Sequence, residues 1–213
     1  MAIFDTHAHY VKNDFGEALH PLLSSMSEAG VEKIMAVGYD LDSSMEEMQL
    51  AEQYPFVWAA VGVHPENCEG LSADWLGQLA GMLSSPRVKA LGEIGLDRHY
   101  EGCDKVLQAE VFERQLQLAK TLDVPVIIHS RDACEDTMEL LRKYKPAGVM
   151  HCFSYSPEIA EEVGYSTSGS LINLFVKKVG TSPRQYRIRH MSKAIDAVCK
   201  TDVPFIDTDV PEL

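Results

Sequence analysis

The sequence predicts an α/β fold built on a parallel sheet. Short apolar runs rich in β-branched residues recur along the chain, and amphipathic stretches at helical spacing lie between them. The runs are continuously apolar rather than alternating, which is the pattern of parallel strands covered on both faces. The first run, 2–6, leads directly into His7 and His9, and the next three lie at 33–37, 56–63 and 88–94. In the connection that follows, Leu107, Val111, Phe112, Leu116 and Ala119 mark one face of a helix. Asp123 and Pro125 punctuate the step from that helix to the run at 124–128. Further runs stand at 148–150 and 203–206, and an eighth strand is expected within 165–174.

Composition bounds the function classes. Of the 213 residues 46% are apolar and 24% charged, a balance of globular chains that fits one large domain or two small ones. No apolar run reaches the roughly 18 residues of a transmembrane helix. The N-terminus meets an acid at Asp5 without a basic region, unlike a signal peptide. Cys68, Cys103, Cys134, Cys152 and Cys199 are scattered and form no C-x-x-C pair, which suits reduced thiols in the cytoplasm. A net charge of −13 argues against coating nucleic acid by bulk attraction. An enzyme that holds phosphates through bound cations remains compatible with it. The charge is uneven: residues 163–195 contain no acid, and six basic residues fall between Lys177 and Lys193.

The residues with chemistry stand at the ends of the apolar runs. His7 and His9 are two apart, so on a strand both imidazoles point to one side. Glu93 lies in Leu91-Gly92-Glu93-Ile94-Gly95-Leu96-Asp97, His129 in Ile128-His129-Ser130-Arg131, His151 in Met150-His151-Cys152-Phe153, and Asp209 in Asp207-Thr208-Asp209. In a parallel barrel the C-terminal strand ends converge on one mouth. Imidazoles and carboxylates gathered there form a nitrogen/oxygen site for Zn, Mn, Fe or, with more oxygen, Mg. Buried strand ends chosen for packing would carry Val or Leu instead. Glu93 is the natural bridge between two cations, a pairing suited to phosphodiester hydrolysis. His64, in Val63-His64-Pro65, is a substrate contact or a turn residue. Arg131 pairs with a phosphate or, at helical spacing, with Glu135. Asp97, His99 and Tyr100 read as solvated loop polarity, and His20, His190 and the cysteines as structural residues.

Together, Phe4-Asp5-Thr6-His7-Ala8-His9, Val61-Gly62-Val63-His64-Pro65, Gly92-Glu93-Ile94-Gly95-Leu96-Asp97, Ile128-His129-Ser130-Arg131 and His151-Cys152-Phe153-Ser154 resemble the successive motifs of the TatD family. The resemblance runs in order over 1–155 and resumes at 205–211, where Asp207-Thr208-Asp209-Val210-Pro211 is similar to the family's E-T-D-x-P. It implies a TIM (β/α)8 barrel over 1–213 and a Mg²⁺-dependent deoxyribonuclease, generally a 3′–5′ exonuclease, with one or two metal ions. It also implies metal ligation by His7, His9, Glu93, His129 and His151. Asp209 is then a further ligand that orients or deprotonates the attacking water. One ion would sit on His7, His9, Glu93 and Asp209, and a second on Glu93, His129 and His151. The expected partner is DNA, single-stranded or at its 3′ ends, and no membrane is involved.

Two departures accompany the resemblance. The chain stops at Leu213, short of the about 250 residues of a typical barrel, so its last helix is expected to be missing and a homo-oligomer is expected to cover the gap. The segment 157–190, near the seventh strand, is atypical. Residues 157–187, from Ile159-Ala160-Glu161-Glu162-Val163-Gly164 to Ser182-Pro183-Arg184-Gln185-Tyr186-Arg187, are similar to an AraC-type helix-turn-helix. The alternative for that segment is a divergent seventh βα unit. Two other function classes follow: an amide or ester hydrolase with the same metal mouth, and a DNA-binding regulator whose Lys177, Lys178, Arg184 and Arg187 meet phosphates.

Overall fold

A computed structural model describes residues 3–100 and 104–162. They fall into two units, the first ending at Phe153 and the second beginning at Ser154. The first unit alternates strands and helices in chain order: β1 (Ile3–Ala8), α1 (Lys12–Phe15), α2 (Leu19–Ser25), β2 (Val31–Val37), α3 (Leu41–Gln53), β3 (Val57–Val61), α4 (Trp75–Leu83), β4 (Val88–Asp97), α5 (Lys105–Leu122), β5 (Val126–Arg131), α6 (Cys134–Tyr144) and β6 (Gly148–Met150). Each strand pairs in parallel with the next, so the sheet order is β1-β2-β3-β4-β5-β6. This is a six-stranded parallel α/β half-barrel, with every C-terminal strand end on one edge. In the second unit, α7 (Pro157–Glu162) is described. The expected strands at 165–174 and 203–206, the last helix, most of the helix-turn-helix-like segment and Asp209 lie outside the described residues.

Local signals set the helix ends. Asp40 caps α3 by accepting the Ser43 amide, while Ser43 Oγ accepts the Asp40 amide in return. Asp104 caps α5 by accepting the amides of Val106 and Leu107. Asp123 ends the same helix in the left-handed region, at φ 54°. The central strands β3 and β4 are buried on both faces, as their continuous apolar runs require, whereas β1 and β6 at the sheet edges are largely exposed. Ala59, Val61, Leu91, Ile94 and Leu96 pack with Leu50, Leu79, Phe112 and Leu116 of the helices. The other face is lined by Val37, Ala60, Ala90 and Ile127. Each large side chain buried this way contributes about 1.5–3 kcal/mol.

Several strands end later than their apolar runs. β1 continues past Thr6 to Ala8, β4 past Ile94 to Asp97 and β5 past Ile128 to Arg131. The ladder pairs Gly95 with His129, Leu96 with Ser130 and Asp97 with Arg131, so backbone pairing continues after the apolar side chains stop. Conversely, β5 starts at Val126 rather than 124, since Pro125 has no N–H for the ladder and offers only its carbonyl, to Leu91 N. Among the described residues, no helix is long and apolar enough to cross a membrane.

Candidate metal centre

The parallel order carries His7, His64, Glu93, His129 and His151 to the same edge of the sheet. Glu93 lies inside β4 and is 4% exposed. The glycines around it explain how β4 comes so close to β5. A Cβ on Gly95, whose φ is +152°, would stand 1.8 Å from the His129 carbonyl oxygen. A Cβ on Gly92 would lie 2.6 Å from that of Ile127.

The two Glu93 oxygens serve two sides. Oε2 lies 3.2 Å from His7 Nε2 and 3.9 Å from His9 Nε2, whereas Oε1 lies 3.1 Å from His129 Nδ1. Two groups result in which one ligand atom per residue lies within 4.8 Å of the others: His7, His9 and Glu93, and His64, Glu93 and His129. The His151 ring stacks on that of His7, with centroids 3.6 Å apart, and its backbone amide donates to the Ile128 carbonyl. Arg131 is exposed, its guanidinium 5.2 Å over the Tyr100 ring and its Nη1 3.3 Å from the Tyr100 hydroxyl.

Electrostatics follow from burial and neighbours. Burial pushes the Glu93 carboxyl up, but His129 and His7 outweigh it and hold that carboxyl well below the usual range. Burial disfavours the His129 cation, yet Glu93 and Asp97 together raise its pKa. His151 is lowered by burial and by His7. His64 is lowered to about 4, first by burial and then by His129, so its ring is neutral at neutral pH.

The donor set fits divalent cations. His7 Nδ1 is buried without a hydrogen-bond partner among the described residues, while its Nε2 meets Glu93 Oε2 at 3.2 Å; an orphaned buried nitrogen is costly, and ligation would relieve it. His9 Nδ1 donates to the Val37 carbonyl at 2.6 Å, leaving the lone pair on the Nε2 that faces Glu93. His129 Nε2 donates to Asp97 Oδ2 at 3.0 Å, so Nδ1 is the nitrogen presented on the Glu93 side.

Asp97 departs from the sequence expectation of solvated loop polarity. It closes β4, is 3% exposed, holds His129 and accepts the His99 amide at Oδ1. Its own amide donates to Gln108 Oε1. Farther along α5, Gln115 Oε1 accepts the Val63 amide at 2.8 Å and its Nε2 donates to the Val63 carbonyl at 3.0 Å. The two glutamines therefore hold the backbone at Asp97 and just before His64, and sequence reasoning missed both. A signal for them exists: Gln108 and Gln115 are seven apart on the face marked by Val111, Phe112 and Leu116, where an unpaired amide would be costly.

A family model described as TatD related DNase matches residues 4–211. The Bacillus subtilis protein named uncharacterized metal-dependent hydrolase YabD is 32% identical, over 99% of this chain and 81% of its own length. A protein of Erwinia tasmaniensis named 3′-5′ ssDNA/RNA exonuclease TatD is 32% identical, over 71% of this chain and 60% of its own. Among solved structures, the Escherichia coli TatD homologue YJJV superposes with a TM-score of 0.68 at 34% identity, covering 76% of this chain and 64% of its own. The match thus spans about 60% of the exonuclease relative's length.

Proposed function

The chain belongs to the TatD-related DNase family, and from that premise we propose that it is a divalent-metal-dependent hydrolase of phosphodiester bonds, a 3′–5′ exonuclease acting on DNA. The observation that carries this reading is Glu93, a buried carboxylate with one oxygen turned to His7 and His9 and the other to His129. The names of relatives that act on single-stranded DNA or RNA support the substrate class. On this reading the barrel extends over 1–213.

His7, His9, Glu93 and Asp209 would hold one ion, and Glu93, His129 and His151 would hold a second. Mg²⁺ serves activity, and Zn²⁺, Mn²⁺ and Fe²⁺ are compatible with the same donors. When bound, such ions supply positive charge that polarises a phosphoryl oxygen and lowers the pKa of a water nucleophile. The carboxylate of Asp209 takes the proton of that water. His64 and Arg131 meet the substrate. The thiols of Cys68, Cys134 and Cys152 are not joined in disulfides, which suits a reducing compartment and supports a cytoplasmic location.

Glu93→Gln removes the charge at the centre while conserving shape. The variant is expected to lose hydrolysis of a single-stranded oligodeoxynucleotide in Mg²⁺ while keeping a native circular-dichroism spectrum. Full activity in Glu93→Gln, or wild-type cleavage that persists after EDTA treatment, overturns the assignment.

A further inference from the structure

We propose that His64 is a hydrogen-bond donor to the substrate and not a third ligand of its cluster: its Nε2–H meets a phosphoryl oxygen of the bond being cut. The identity of that acceptor rests on the phosphodiesterase reading above. The donor state of His64 does not.

Proximity alone would make His64 a ligand, because it shares the 4.8 Å cluster with Glu93 and His129. Its second partner decides otherwise. His64 caps the short 3₁₀ turn Pro65–Asn67, and its Nδ1 accepts the backbone N–H of Glu66 at 3.3 Å. A nitrogen that accepts a proton donor carries no proton itself. The ring is therefore neutral, and its one proton sits on Nε2. The other two histidines that share Glu93 and have a named second partner show the opposite arrangement. His9 donates from Nδ1 to a carbonyl and presents Nε2, while His129 donates from Nε2 to Asp97 and presents Nδ1. Each of these partners accepts a hydrogen bond, so the opposite nitrogen is the one that would turn its lone pair to a cation. The Glu66 amide does the reverse.

The surroundings hold His64 in place for this task. Its amide donates to the Tyr39 carbonyl at 2.7 Å, and its carbonyl accepts the Asn67 amide at 2.9 Å. Val63, the residue before it, is held on both backbone groups by Gln115. The ring meets that of His129 edge-on, with centroids 4.3 Å apart. A neutral donor fixed in this way stabilises charge growing on an oxygen without giving up its proton. Removing one such preorganised donor typically costs about 10²–10³-fold in kcat.

The test uses the full chain in three measurements. Nitrogen NMR of the Mg²⁺-loaded protein is expected to show the His64 proton on Nε2. Calorimetric titration of the EDTA-stripped protein with Mn²⁺ is expected to give the same stoichiometry and affinity for wild type, His64→Ala and His64→Gln. Kinetics on a single-stranded oligodeoxynucleotide are expected to show a kcat about 10²-fold lower for His64→Ala with little change in KM. His64→Gln keeps an N–H and recovers part of the loss. An unprotonated Nε2, or loss of one ion or of about tenfold or more in Mn²⁺ affinity in either variant, overturns the proposal and makes His64 a ligand. A wild-type protein that binds Mn²⁺ and carries the Nε2 proton but cuts no phosphodiester refutes the nuclease reading and supports the donor state.

Discussion

Glu47 offers a prediction that does not depend on catalysis. It sits in α3 with no exposed surface. Its Oε1 accepts the Tyr10 amide, next to His9, and its Oε2 has no partner among the described residues. Burial pushes its carboxyl from 4.5 up to about 8, against the Tyr10 hydrogen bond and with help from Glu46. The folded protein thus retains a proton there over a range in which the unfolded chain has released it. The contribution of Glu47 to stability is full below about pH 4.5, falls as pH rises to about 8 and levels off above that. At about 1.36 kcal/mol per pH unit, this shift corresponds to about 5 kcal/mol. Glu47→Gln keeps an acceptor for Tyr10 and cannot ionise. Urea unfolding of both proteins, followed by circular dichroism from about pH 5 to 9, is expected to show the variant gaining on wild type by several kcal/mol across that window. Parallel pH profiles for the two proteins refute the reasoning.

Two further predictions concern the groups that hold the site. Gln115→Leu leaves the buried amide and carbonyl of Val63 without partners, at about 1–3 kcal/mol each; urea midpoints should report a loss of about 2–4 kcal/mol, and a loss under about 0.5 kcal/mol means the clamp on Val63 is unimportant. Asp97→Ala frees His129 Nε2, and calorimetry with Mn²⁺ should show affinity lowered by about 10–100-fold in a protein that still folds. Unchanged affinity in that variant removes Asp97 from the supporting shell of the centre.

The central strands and the helix after β4 were legible because burial writes itself into composition. A strand such as Val57–Val61 has no polar side to show, and a helix such as α5 must place Val111, Phe112 and Leu116 inward. The candidate site was legible for a related reason. His7, Glu93, His129 and His151 follow or interrupt buried runs where packing alone would select Val or Leu. Asp97 was misread because its signal lies in the ladder to Arg131 and not in apolar character, which ends at Leu96. Gln108 and Gln115 were passed over because an amphipathic pattern tolerates a polar residue on its inner face without saying what satisfies it.

By itself, then, the sequence determined the α/β class, the parallel sheet and the residue types at the strand ends, since these depend on which groups avoid water. Only the tertiary structure decided which nitrogen His9 and His129 present. His9 and His129 turn the opposite nitrogen toward Glu93 because Val37 and Asp97 accept their hydrogen bonds, whereas the Glu66 amide donates one to His64. Asp97 and His129 are 32 positions apart in the chain and His9 and Val37 are 28. A tautomer set by a hydrogen bond over such a separation exists only once the sheet has brought the partners together.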